Sequence, residues 1–138
     1  MTVRLRLKNV VLRALEVAGI FTLAARLPWR DQRLLILGFH GVSRLDEHRW
    51  EPALFHSPAS FERRLEAIVR GGYRVLPLGE ALERLYAGTL PPRSVVLTFD
   101  DGFADFGDLV HPALQRYGLP ATVYLTTHYS GTEMPVFN

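Results

Sequence analysis

From Leu34 to the end of this 138-residue chain, short apolar runs alternate with stretches whose apolar residues recur at helical spacing, and that order constrains the fold more than any other feature. Strands that alternate with helices pair in parallel, because each helix carries the chain back to the starting end of the sheet. Leu34 to Phe39 is the first predicted strand. A stretch rich in His, Trp and Pro follows and reads as irregular. Ser57 is placed to cap a helix with Pro58 at its first position, and Phe61, Leu65, Ile68 and Val69 repeat along it until Gly71 and Gly72 stop it. Tyr73 to Leu76 is the second strand, Gly79 to Tyr86 a short helix, Gly88 to Pro92 a turn and Ser94 to Phe99 the third strand. A helix from Phe106 to Tyr117 ends at Gly118, and the β-branched and aromatic content of Ala121 to Thr126 makes a fourth strand.

The segment before Leu34 differs in character. Residues 1–33 carry seven basic side chains (Arg4, Arg6, Lys8, Arg13, Arg26, Arg30 and Arg33) against Glu16 and Asp31, whereas the other 105 residues are net acidic. A basic nucleic-acid face over the whole domain is therefore not supported. Val3 to Leu27 reads as an amphipathic helix, with Leu5, Val10, Val11, Leu15, Ala18 and Leu23 available for an apolar stripe. The longest charge-free run within it, Val17 to Ala25, is too short to cross a bilayer, and its charges weaken a signal-peptide reading. A docking helix, or one lying on a membrane surface through residues 1–30, fits better. Two segments follow: 1–33, the basic helix, and 34–138, the α/β domain.

The strongest local feature is Val95-Val96-Leu97-Thr98-Phe99-Asp100-Asp101-Gly102, an apolar strand that ends in two adjacent carboxylates and a glycine. Functional groups of parallel α/β sheets gather at the carboxyl ends of strands. Neighbouring residues of a regular strand point to opposite faces, but a turn can bring both acids to one crevice, and Gly102 tolerates the backbone such a turn needs. Two carboxylates this close repel unless one takes up a proton or a cation binds. A turn that merely caps the next element is the competing reading. The phosphoryl-transfer alternatives lose ground: Gly102 stands where a haloacid-dehalogenase-type site needs its second acid, Lys8 is the only lysine, and no phosphate-binding glycine loop exists. The chain has no cysteine, so any metal would sit on His, Asp or Glu, and cytoplasmic and cell-envelope settings both stay open.

Thr98-Phe99-Asp100-Asp101-Gly102 resembles the first signature motif of the polysaccharide deacetylase (NodB-homology, carbohydrate esterase 4) family. Leu35-Ile36-Leu37-Gly38-Phe39-His40-Gly41-Val42 resembles that family's opening strand with its aromatic-His pair, and Tyr117 to Leu125 the strand after the motif helix. The resemblance runs from about Leu34 onward and implies the amino-terminal part of a distorted (β/α) barrel, truncated here, with parallel strands. It implies Asp100 as the base that activates water and Asp101 as a ligand of a divalent ion, commonly zinc, with His40, Gly102 and Phe103 lining the site. The implied reaction is removal of N-acetyl groups from an amino-sugar polymer or oligomer, with a non-catalytic carbohydrate-binding remnant as the alternative.

The family's two further metal ligands belong to a His-x-x-x-His motif that this chain does not contain; His111 and His128 are 17 residues apart. The resemblance therefore implies an incomplete metal site and feeble activity. An unfinished barrel would also expose apolar edges, so self-association is expected. His111 is expected to be structural and His128 to fall short of the site. His48, Trp50 and His56 could stack on sugar rings but read more simply as a surface loop.

Overall fold

A computed structural model describes residues 3–25, 27 and 32–132. The chain divides into two compact units, residues 1–30 and 31–138. The first holds α1 (Val3–Val17) and α2 (Ile20–Ala25). The single helix expected over Val3 to Leu27 is broken because Gly19 takes a left-handed φ of 69°, which no α-helix accommodates. Of the expected apolar stripe, Val10, Val11, Ala18 and Leu23 are exposed and Leu15 is half-buried, while the Leu5 side chain lies outside the described residues. No described helix is long and apolar enough to cross a membrane.

The second unit is built around one strand. Its strands are β1 (Leu35–Phe39), β2 (Gly41–Val42), β3 (Phe55–His56), β4 (Arg74–Val75), β5 (Ser94–Phe99) and β6 (Thr122–Val123). β5 is buried at all six positions, as a continuous apolar run must be when both faces are covered. β1 pairs in parallel along β5 from Leu35↔Val95 to Phe39↔Phe99. β4 pairs with the start of β5 (Arg74↔Ser94) and β6 with its end (Phe99↔Val123), both also parallel. A strand has two edges, so β4 and β6 must share the one that β1 leaves. That sharing limits each to two residues, where the sequence predicted four for Tyr73 to Leu76 and six for Ala121 to Thr126.

The helices of this unit are α3 (Glu47–Trp50), α4 (Pro58–Arg70), α5 (Leu78–Tyr86), α6 (His111–Tyr117) and α7 (Thr127–Ser130). α4 starts as predicted: the Ser57 hydroxyl accepts the Ser60 N–H at 3.2 Å and Pro58 occupies the first turn. Phe61, Leu65 and Ile68 are buried and join Phe39, Val95, Leu97, Phe99, Val110, Ala113 and Leu114 in the core. Val69, expected on the same face, is exposed, because it follows Ile68 by 100° around the helix.

Two stretches differ from expectation. The irregular region after β1 contains α3 and a small parallel sheet of β2 with β3, in register Gly41↔Phe55 and Val42↔His56. The helix predicted from Phe106 opens with a π-helical segment, Phe106–Val110, in which the His111 N–H reaches back five residues to the Phe106 carbonyl. Pro112 explains it: proline offers no N–H and its ring crowds the carbonyl four residues back, so the preceding turn widens. The helix ends as predicted, at Gly118 with φ 63°.

Candidate functional site

The register brings the ends of β1 and β5 level, so His40 and Asp100 leave the sheet side by side. The peptide unit joining Phe99 to Asp100 is held from both sides: its carbonyl accepts the Tyr124 N–H at 2.8 Å, and its N–H donates to the Phe39 carbonyl at 2.9 Å. The chain then reverses within one residue. The Gly102 N–H donates to the Asp100 carbonyl at 2.9 Å around Asp101, whose φ is 70°, the i to i+2 pattern of a γ-type turn. Gly102 is itself left-handed at 66°, and a Cβ there would collide with the Leu125 side chain, so glycine is required on two counts. The Thr126 hydroxyl donates to the Asp101 carbonyl at 3.3 Å.

Asp100 and Asp101 are both half-buried, and neither carboxylate has a hydrogen bond or ion pair with another described residue. The turn thus spends its hydrogen bonds on backbone and leaves two acids available at the carboxyl end of a parallel sheet. His40 is half-exposed beside Asp100, and Phe103, half-buried, stacks on Phe55 at 5.5 Å. Among the described residues no three His, Asp or Glu side chains form a group that could hold a metal. The donors at this turn therefore fall short of the three protein ligands that catalytic zinc takes.

The other histidines fall elsewhere. His111 begins α6, exposed, with its ring 6.4 Å from that of Phe106, and His128 lies exposed in α7. His48 is engaged through Nδ1 with the Ser43 hydroxyl at 2.9 Å. His56 packs edge-on against Phe39 at 5.7 Å, and burial, helped by Arg64, pushes its pKa below the ordinary 6.5.

Sequence reasoning missed Asp105. It is only 4% exposed, and its Oδ2 accepts the Val42 N–H at 2.7 Å, tying the segment after the motif turn to the strand that follows His40. Burial pushes its carboxyl above the ordinary 3.8, although the hydrogen bond from Val42 favours the charged form; Glu47 adds to the rise and Arg44 opposes it. The one clue in the sequence was an acid five residues past Asp100, without a basic neighbour to answer it.

Two outcomes test this geometry. Asp101→Gly removes a side chain from a left-handed position and should raise stability by about 1 kcal/mol while deleting the carboxylate; an unchanged or lowered urea midpoint would refute the strain. Asp105 takes up its proton more readily in the folded chain, so the stability it contributes is full below pH 3.8 and is lost as pH rises through its folded pKa. Urea midpoints of the wild type relative to Asp105→Asn should therefore fall with rising pH across that window, and a constant difference would contradict the burial effect.

With this geometry in place, likeness to known proteins is informative. A family profile for polysaccharide deacetylase matches residues 87–137. The poly-beta-1,6-N-acetyl-D-glucosamine N-deacetylase of Escherichia coli K12 is 29% identical over 101 residues, covering 72% of this chain and 15% of that protein. The enzyme of the same name from Staphylococcus aureus is 31% identical over 77 residues, 56% of this chain and 27% of its own length. The solved Streptococcus pyogenes deacetylase PplD, in complex with acetate, superposes with a TM-score of 0.64 at 30% identity, covering 75% of this chain and 46% of that one. The chain thus spans less than half of each relative. Profile, fold and motif turn all liken this chain to part of a polysaccharide deacetylase domain, with the parallel α/β architecture its sequence implies.

Proposed function

We propose that the domain removes N-acetyl groups from an amino-sugar polymer, with Asp100 as the base. The observation that carries this reading is the pair of carboxylates, without partners among the described residues, held on a tight turn at the carboxyl end of β5. An ionised Asp100 beside a bound amide can take a proton from the attacking water, and the locked peptide before it keeps the carboxylate in one position as that proton moves. The names of the relatives, which act on poly-N-acetylglucosamine or are called deacetylases, point to the substrate class. Asp101 is proposed as one ligand of a divalent ion, zinc, although no group of three His, Asp or Glu among the described residues completes such a site. His40, Gly102 and Phe103 are proposed to line the same site.

The shortage of metal donors among the described residues favours a second reading, a carbohydrate-binding part without turnover. Acetate release from an N-acetylglucosamine oligomer separates the two. The protein supplied with zinc should release acetate, and Asp100→Asn should slow it about 10²- to 10⁴-fold; release that ignores Asp100 would sink the base assignment, and none at all would favour the binding role.

Two partners follow from exposed apolar surface. β1 pairs with β5 alone among the described strands and presents half-exposed Ile36, an edge suited to pairing with a second copy. In α1, Leu7, Val10, Val11 and Val17 are exposed alongside Lys8 and Arg13, a pattern suited to a membrane surface rich in anionic lipid. The 138-residue chain should elute above monomer size and co-sediment with anionic vesicles but not neutral ones. A monomeric elution removes the first partner, and equal sedimentation with both vesicles the second.

A further inference from the structure

An aromatic row leads away from the motif turn. Phe103 follows Asp100-Asp101-Gly102 directly, stacks on Phe55 at 5.5 Å and 25°, and Phe55 in turn meets Trp50 at 6.3 Å and 46°. The first two rings lie against the backbone of Gly41, the residue after His40. A Cβ on Gly41 would stand 2.5 Å from Phe55 Cε1 and 3.3 Å from Phe103 Cδ2, so the row depends on that residue having no side chain.

The backbone carrying the outer ring is anchored. Ser43, 1% exposed, accepts the His48 N–H on its hydroxyl at 2.7 Å and engages His48 Nδ1, which pins α3 from inside. The Glu51 N–H closes α3 on the Glu47 carbonyl at 2.7 Å, and the Phe55 N–H bonds the Glu51 carbonyl at 3.0 Å. Trp50 nevertheless remains 65% exposed. A tryptophan placed only to fill the loop would turn its large apolar area inward; this one stands in solvent on a fixed support, continuous with the carboxylate site.

We propose that Trp50 is the sugar-stacking residue of a subsite beside the carboxylate pair, with Phe55 and Phe103 as its floor. A pyranose ring presents axial C–H bonds on one face and polar hydroxyls at its rim. The C–H face suits the electron-rich face of an indole, while the rim stays hydrated. A polymer with one residue at Asp100 would lay a neighbouring residue on this row, so Trp50 contributes to holding the chain rather than to the chemistry. The proposal rests on the deacetylase reading for its ligand but predicts a separate effect.

The test uses the 138-residue chain with Trp29→Phe, which leaves Trp50 as the sole tryptophan. A short N-acetylglucosamine oligomer should quench and blue-shift its emission in a saturable manner. By calorimetry, Trp50→Ala should weaken binding of the same oligomer about tenfold, and Trp50→Phe should restore most of it. Circular dichroism and melting should be unchanged in both variants, since the ring is largely exposed. In the acetate assay, Trp50→Ala should raise KM and leave kcat. Equal oligomer affinity in wild type and Trp50→Ala, or no saturable binding by the wild type, overturns the subsite even if acetate is released. Trp50-dependent binding without any acetate release upholds the subsite and rejects the deacetylase reading instead.

Discussion

The site depends on a single peptide unit. Between Phe99 and Asp100, the carbonyl is taken by Tyr124, the residue after β6, and the N–H by Phe39 of β1, so β5 is fixed on both edges up to the residue where it stops being a strand. A backbone hydrogen bond contributes only about 1 kcal/mol net, but two opposed ones leave the plane no direction in which to rotate. The tight turn can then exist: a left-handed aspartate is unfavourable in isolation and persists where its surroundings over-determine it. Asp101 is strained because both neighbours are spoken for, Asp100 by the sheet and Gly102 by its lack of space for a side chain.

The same logic extends outward through the aromatic core. Phe39 and Phe99, partners across the β1–β5 register, stack at 5.2 Å, and Phe61 of α4 meets both edge-on at 5.6 and 6.0 Å. Phe106, in the π-helical segment, closes on Phe99 at 5.2 Å. These rings sit directly beneath the residues that leave the sheet, so helix packing and site geometry are joined at Phe99. Asp105 adds a polar tie between the same segment and Val42. A buried carboxylate is an expensive way to hold a loop, and a good hydrogen bond offsets only part of that burial. Its hydrogen bond ties the strand after His40 to the segment after Asp101.

Much of this was legible in the sequence, and what was not has a physical pattern. β5, the α4 cap at Ser57 and the stop at Gly118 depend on local chemistry: an apolar run, a hydroxyl before proline, a glycine able to go left-handed. Each was placed within a residue. The shortened β4 and β6 could not be read, because their length is set by competition for one edge of β5, which is a tertiary fact. The break at Gly19 was missed since an isolated glycine in a helical pattern is tolerated in many chains. α3 and the β2–β3 pair were invisible for a further reason: they are stabilised by Ser43, Gly41 and the stacked rings of Phe55 and Phe103, contacts between residues far apart in the chain.

The carboxylate pair was found because it sits at a strand end, and its meaning came from resemblance; spacing alone left a capping turn equally open. The structure weighs against that bland reading in one respect. A capping aspartate earns its place by accepting N–H bonds with its side chain, as Ser57 does for α4, whereas Asp100 and Asp101 accept none from the described residues. The turn is closed by main-chain carbonyls, and a less strained residue would serve its backbone better than Asp101. Asp101 keeps its side chain at a cost in backbone strain, and the proposed role beside an electropositive partner, whether ion or polarised substrate, would account for that cost.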